Sequence, residues 1–276
     1  MSTRFTQVDV FSAHPTRGNA LAVVHDADRL TDEQMAAFAR WTNLSETTFL
    51  LKPTLEGADY RVRILTPLQE LPFAGHPTLG SCHAWLEAGG QAAGDRVVQQ
   101  CAGGLIEVRR EGERLAFKGP PLVRLGAIEP DIFAKALAGT GLTPADVVDS
   151  AWVDNGPGWM GFLLRSRAQV LAIKPDFARL KGMRVGIVGP SEKGEDTDCD
   201  FEVRGFTAAG FEDAATGSLN AGLALWLTEA GHAPHSYVAA QGTMIGRSAR
   251  LFIARHDADI WLGGHCRSVI SGKVSL

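Results

Sequence analysis

The chain has 276 residues, 45% of them apolar and 21% charged, the balance of a soluble globular protein long enough for two cores of ordinary domain size. A formal net charge of −4 argues against nucleic acid or a membrane surface as partner, since both usually require a basic face. No apolar run approaches the roughly 18 residues of a membrane span, and the N-terminus lacks the apolar core of a signal peptide.

In chain order, residues 4–11 carry Phe5, Val8, Val10 and Phe11 as apolar positions and read as a strand into the turn His14-Pro-Thr-Arg-Gly18. Residues 20–25 form a second strand. Thr31 opens a helix with Gln34 three residues later, a capping-box pattern, and Met35, Phe38 and Trp41 fall on one face. Strands follow at residues 47–51 and 60–65. The next stretch, residues 71–90, predicts a helix with Pro77 at its first position and Gly89-Gly90 as its stop. Between residues 78 and 88 its only charge is Glu87, so this helix is expected to be buried on every side. A hairpin over residues 105–117 turns at Glu111-Gly-Glu113, and Lys118-Gly-Pro-Pro121 then breaks the pattern near the midpoint.

The second half opens with two helix starts, at Glu129-Pro130 and Thr143-Pro144, followed by strands near residues 150–153, 161–165, 185–188 and 201–206. From Thr216 the chain is uncharged until Glu229 and stops at Gly231, a second helix with no solvent face. Apolar, β-rich runs at residues 237–241, 251–254 and 260–264 precede the closing segment 268–276. The acidic run from Glu195 to Glu202 fails as a calcium loop: counted from Asp196, the sixth position is Phe201 where glycine is needed and the twelfth is Thr207 where glutamate is needed. It reads as a solvated turn.

The halves resemble each other. Asp59-Tyr-Arg-Val-Arg-Ile-Leu-Thr66 lines up with Asp200-Phe-Glu-Val-Arg-Gly-Phe-Thr207 at an offset of 141 residues, which also relates Trp85 to Trp226. Gly18-Asn-Ala-Leu-Ala-Val-Val24 faces Gly158-Trp-Met-Gly-Phe-Leu-Leu164 at one residue less. The expected architecture is therefore α+β: two similar halves, each a curled, mostly antiparallel sheet wrapped around a central buried helix. The first half covers residues 1–120, joined by a C-terminal strand over 266–276, and the second covers 121–265.

Chemistry is expected where the buried helices begin. Gly75-His76-Pro77-Thr78 and Asp213-Ala-Ala-Thr-Gly-Ser218 offer small residues and unpaired N–H groups, which together with the helix dipole favour an anion. Read alone, these residues serve equally well as plain helix caps. Glu46 stands just before an apolar strand, where burial would suit it to proton exchange; read alone, it is an exposed acid in a turn. Metal is not suggested. His76 and His83 lie two turns apart with no third ligand, His265-Cys266 is a lone neighbour pair, and Cys82, Cys101, Cys199 and Cys266 are scattered without a close pair. That cysteine usage fits a reduced, cytoplasmic setting.

Leu44-Ser-Glu-Thr-Thr-Phe49, Glu70-Leu-Pro-Phe-Ala-Gly-His-Pro-Thr-Leu-Gly80 and Glu212-Asp-Ala-Ala-Thr-Gly-Ser218 resemble the signature blocks of the phenazine biosynthesis PhzF-like isomerase family, with Gln241-Gly242 and Gly246-Arg247 as a fourth. The resemblance runs from about Gln7 to the C-terminal strand. It implies the diaminopimelate epimerase-like fold with the active site between the halves, and a cofactor-free isomerase, often a homodimer, that moves a proton from one carbon to another. By the same resemblance Glu46 is the general acid/base, His76 and Asp213 assist it, and Gly75 and Ser218 contact a small anionic substrate, with Thr216 and Gly217 beside them. Three departures, Ala20, Ala208 and Ala214, stand where the family usually has proline or a proline-bearing segment, so the phenazine precursor is not carried over as substrate. Racemases and epimerases of the same fold use a thiol at each helix start. Here those positions read Ala74 and Ala214 or Ala215, which opposes two-thiol chemistry. The remaining alternative is a catalytically silent binding protein that kept the fold.

Overall fold

The computed structural model describes residues 2–92, 94–192, 194–195 and 197–276; Asp196, from which the calcium-loop register is counted, lies outside them. The first elements are β1 (Ser2–Val10), β2 (Asn19–Val24), α1 (Asp32–Thr42), β3 (Thr47–Leu51), β4 (Tyr60–Leu65), β5 (Glu70–Leu71), α2 (Gly75–Glu87), β6 (Arg96–Cys101), β7 (Gly104–Glu111) and β8 (Arg114–Lys118). They are followed by β9 (Arg124–Gly126), α3 (Pro130–Thr140), β10 (Val147–Asp154), β11 (Trp159–Leu164), α4 (Arg167–Ala172), α5 (Phe177–Leu180) and β12 (Arg184–Pro190). The last are β13 (Phe201–Phe206), β14 (Glu212–Asp213), α6 (Gly217–Glu229), β15 (Ser236–Gln241), β16 (Ala249–His256) and β17 (Asp259–Ser275). The class is α+β. The chain forms two compact units, one of Met1–Lys118 with Gly263–Leu276 and the other of Gly119–Leu262.

In the first unit, β17, β1 and β2 pair antiparallel in that order, β2 pairs parallel with β3, and β3 pairs antiparallel with β4. Strand β4 then takes β6 as a parallel neighbour, and β6, β7 and β8 continue antiparallel. Helix α2 touches β1, β2, β3, β6, β7 and β8, and its residues from Gly75 to Cys82 are buried; its last turn departs from the expected burial on every side, with Trp85 and Leu86 half-buried and Glu87 exposed. Small residues permit that fit: a Cβ on Gly80 would lie 2.6 Å from Leu21 Cδ2. Outside the sheet, α1 packs through Met35, Phe38 and Ala39 on Val24, Phe49 and Leu65. Its capping box forms as the sequence predicts, with Thr31 and Gln34 bonding reciprocally at 3.0 and 3.2 Å. Trp41 departs from the expected apolar face. It is 80% exposed and stacks on the Phe38 ring at 6.0 Å instead of entering the core.

In the second unit, β9, β10 and β11 are antiparallel neighbours, β11 pairs parallel with β12, and β12 pairs antiparallel with β13. Strand β13 takes β15 as a parallel neighbour and β15 pairs antiparallel with β16. Helix α6 is buried along most of its length against β10, β11 and β16. Every residue of β13 is buried, and α4 packs on the strand's outer face. That face carries charge: Arg204 forms a two-pronged ion pair with Glu212 at 2.8–3.0 Å and donates to the carbonyls of Val170 and Ile173 at the end of α4. The first unit has a comparable pair, Arg63 on β4 with Glu70 on β5 at 2.7–2.9 Å. Each pair ties the short strand that leads into a buried helix.

Two predicted starts differ from the structure. Helix α2 begins at Gly75, so Pro77 occupies its third position, where its missing N–H still costs no intrahelical bond. At Thr143 the chain makes only a single 3-10 turn over Pro144–Asp146, because Asp146 bonds back to Thr143 and the strand β10 begins at once.

Helix α6 comes so close to β10 that a Cβ on Gly222 would lie 2.1 Å from the Val153 carbonyl oxygen. Gly222→Ala should therefore lower the unfolding free energy by about 1–3 kcal/mol or more, measured by urea denaturation, although alanine is the better helix former. An unchanged or higher stability would show that α6 is not pressed on that strand.

Candidate functional site

Glu46 is placed by a tight connection. Helix α1 ends at Asn43 in the left-handed conformation (φ 53°), and Thr42 and Thr47 join their hydroxyls at 2.9 Å across the link that carries Glu46. Strand β3 then fixes α2 beside it: Ser81 donates to Thr48 at 2.9 Å, and Thr48 donates to the Ala22 carbonyl. One turn and a half back along α2, His76 brings Nε2 to 3.5 Å from Glu46 Oε2, with the imidazole 7% and the carboxylate 16% exposed. Burial pushes the His76 imidazole down to about 3, so it is neutral at physiological pH. Gly75 cannot be replaced here without movement, since a Cβ would meet the Phe117 ring at 2.5 Å. Ala74 at the N-cap contributes no side-chain cap, which leaves the N–H groups of Gly75 and His76 to other acceptors. A carboxylate, a neutral imidazole and uncapped helix donors thus lie together in the first unit.

In the second unit Asp213, Thr216, Gly217 and Ser218 lie together at the start of α6. Thr216 is the N-cap, yet its hydroxyl does not cap the helix. It donates to Asp213 Oδ2 at 2.6 Å. Ser218 Oγ accepts from Trp159 Nε1 at 3.0 Å. An indole N–H only donates, so the Ser218 hydroxyl keeps its own proton for another acceptor. Asn155 Nδ2 donates to the Ser218 carbonyl at 2.8 Å and steadies the same turn. Trp159 and Asn155 escaped the sequence reading. The signal for Trp159 was its place beside Gly158, where the first half has Gly18-Asn19.

The other candidates resolve into structural roles. Cys82 is fully buried in α2 with its thiol pushed up to about 12 by desolvation, and all four cysteines are free and buried. Ala74 and Ala215 sit at or next to the N-caps of α2 and α6 and carry no thiol. His83 contacts Ser268 at 3.2 Å and Glu87 at 3.3 Å through the same ring nitrogen, and Ser268 donates to Glu87, a local cluster at the end of α2. Among the described residues no group of three or more His, Cys, Asp or Glu side chains is arranged to hold a metal ion. No helix among them is long and apolar enough to cross a membrane.

The sequence profile of the phenazine biosynthesis-like protein family matches residues 8–272. The chain belongs to this family. Relatives of this family member include antisense-enhancing sequence 1 of Schizosaccharomyces pombe, 36% identical over 98% of this chain and 97% of that protein. Another is the trans-2,3-dihydro-3-hydroxyanthranilate isomerase of Pseudomonas aeruginosa, 33% identical over 92% of this chain and 91% of that one. The crystal structure of a PhzF-family phenazine biosynthesis protein from Enterococcus faecalis superposes with a TM-score of 0.83 at 25% identity, covering 100% of both chains. This PhzF-like chain is accordingly an enzyme of the isomerase class.

Neutral burial of His76 has a consequence for stability. In the unfolded chain the imidazole titrates near its usual 6.5, whereas folded it does so near 3, so between these values the unfolded chain binds more protons. Stability is thus lost as pH falls from 6.5 towards 3, by up to about 1.4 kcal/mol per pH unit from this residue. His25, held at about 4 mainly by burial, adds a similar loss over the upper part of that window. Urea unfolding as a function of pH should show this slope, and His76→Gln should reduce it; an unaltered slope would mean that His76 is charged in the folded state.

Proposed function

We propose that the protein is a cofactor-independent isomerase of a small carboxylate-bearing metabolite, with Glu46 as the group that removes a proton from one carbon and returns it to another. The observation that carries this is the Glu46–His76 contact of 3.5 Å at the start of a buried helix. A neutral imidazole gives the carboxylate a polar neighbour without an opposing charge, which leaves the carboxylate open to accept a proton from carbon. The uncapped N–H groups at Gly75 and His76 suit the negative charge that develops on a substrate carboxylate or enolate when the proton leaves. Asp213 assists; Thr216, expected from the sequence to touch substrate, spends its N–H on Gln241 and its hydroxyl proton on Asp213 and so holds Asp213 instead, while Gly217 and Ser218 supply donors for a second anionic oxygen.

Under this proposal the two units are copies of one ancestral element acting on one substrate. Support comes from details repeated at sequence offsets of 141 and 140. Asp59 accepts from Val98 N–H at 2.7 Å and donates its own N–H to the Val98 carbonyl at 2.8 Å; Asp200 does the same with Val238 at the same distances. A homodimer, as in relatives the sequence resembles, belongs to the same proposal, as does a small anionic molecule as partner. An amino-acid racemase is the weaker alternative, because alanines occupy the positions where paired thiols would stand.

Glu46→Gln should lower turnover by about 10²-fold or more with the fold intact, assayed as isomerisation or as deuterium uptake from heavy water across a panel of small carboxylic acids that begins with trans-2,3-dihydro-3-hydroxyanthranilate. Activity in that variant equal to wild type would remove the proposal. Turnover should also survive thiol alkylation and chelators; inactivation by alkylation that substrate prevents would restore thiol chemistry.

A further inference from the structure

Behind the candidate site of the second unit lies a fully buried amide, Gln241 at the end of β15, and its hydrogen bonds run in one direction only. Gln241 Oε1 accepts from the Thr216 backbone N–H at 3.1 Å and from Asn220 Nδ2 at 2.9 Å. Gln241 Nε2 donates to the Asp213 carbonyl at 3.1 Å and to Thr216 Oγ1 at 2.9 Å. The assignment of oxygen and nitrogen is forced. A backbone N–H can only donate and a carbonyl can only accept, so the end facing Thr216 N must be oxygen and the end facing Asp213 O must be nitrogen.

That direction propagates. Because Gln241 Nε2 can only donate, Thr216 Oγ1 must accept from it, and the single hydroxyl proton of Thr216 is left to point at Asp213 Oδ2, 2.6 Å away. Packing keeps the chain in line. A Cβ on Gly205 would sit 3.0 Å from Thr216 Oγ1 and 3.2 Å from Gln241 Nε2, and one on Gly242 would sit 2.7 Å from the Ala214 carbonyl oxygen. Gly242 also has φ 87°, which lets the backbone turn away directly after Gln241.

We propose that Gln241 is a positioning residue: through Thr216 it fixes the orientation of the Asp213 carboxylate, holding Oδ2 as a permanent hydrogen-bond acceptor and thereby setting the direction in which Oδ1 faces. This rests on the assignment of Asp213 to the reacting site made above. It also gives the Gln241-Gly242 block a physical reason, since asparagine would be too short to span Asp213, Thr216 and Asn220 at once.

The test uses the full-length protein and two variants. Gln241→Glu keeps the shape and the acceptor but removes the donors; Gln241→Met removes both and leaves no unpaired charge should the buried glutamate prevent folding. Crystal structures of the variants should show the Thr216 hydroxyl turned away from Asp213 Oδ2. With trans-2,3-dihydro-3-hydroxyanthranilate as probe in heavy water, kcat should fall roughly 10- to 100-fold while KM stays within about threefold, the signature of a lost orientation and not of a lost binding contact. An intact Thr216–Asp213 contact in both variants overturns the inference, as does a displaced contact with unchanged kcat. If the wild-type protein exchanges no deuterium with this probe or with the wider panel, the proposed isomerase function fails, and the crystal structures alone decide whether Gln241 sets the Thr216–Asp213 contact.

Discussion

A helix without a polar face is stable in water only if something else covers every side of it, and this requirement governs both units of the chain. Helices α2 and α6 meet it with small residues, Gly80 against Leu21 and Gly222 against Val153, which let strands approach from several directions. A sheet that must surround a helix has to turn around it. The alternation of antiparallel pairs with parallel ones, β2 with β3 and β4 with β6 in the first unit, gives that course. Covering the helix also buries its N-terminus, where Ala74 and Thr216 provide no side-chain cap. Uncapped donors in a buried setting are unfavourable for folding alone and useful for holding an anion.

The same burial sets the chemistry of the polar groups beside those helix starts. Taken out of water, His76 loses the ability to hold a proton near neutrality, and Glu46 gains a neighbour that is polar without being positive. At α6, groups that can only donate fix the hydroxyls next to them: Trp159 leaves the Ser218 proton available, and Gln241 aims the Thr216 proton at Asp213. Neither of these two effects at α6 depends on a large energy. Both depend on hydrogen bonds having a direction, which low solvent access makes strict.

Much of this was legible in the sequence, and the exceptions have physical causes. Strands β3, β4 and β13 were readable to the residue because each is a continuous β-rich run between breakers. The α+β class and the two buried helices followed from the near absence of charge in residues 75–88 and 216–230. Strand β6 was missed because polar residues share its buried positions with Val97: Gln99 and Gln100 are buried by bonding Tyr60, Thr78 and the Thr54 backbone, which no hydropathy pattern reveals. Helices α4 and α5 were missed because they are short and are seated by partners far away in sequence, such as Arg204 on the carbonyls at the end of α4. At the site, Glu46 read alone was a turn acid; only the contact with His76, thirty residues on, and the signature blocks separate it from Glu56 or Glu33. The direction of the Gln241 bonds was beyond the sequence altogether, since it arises from which atoms meet.

Whether a single carboxylate both removes and returns the proton is the central question, and a single-turnover label experiment addresses it most directly. Substrate carrying deuterium at the carbon that loses its proton is mixed with excess enzyme in ordinary water, and the product is examined before the label can exchange. If Glu46 shuttles the proton, a measurable fraction of product molecules should carry the deuterium at the new carbon, because a partly buried carboxylic acid returns its proton in competition with exchange to solvent. Complete loss of the label at the earliest measurable times, with protons from water alone at the new position, would contradict a one-carboxylate shuttle and require a separate acid.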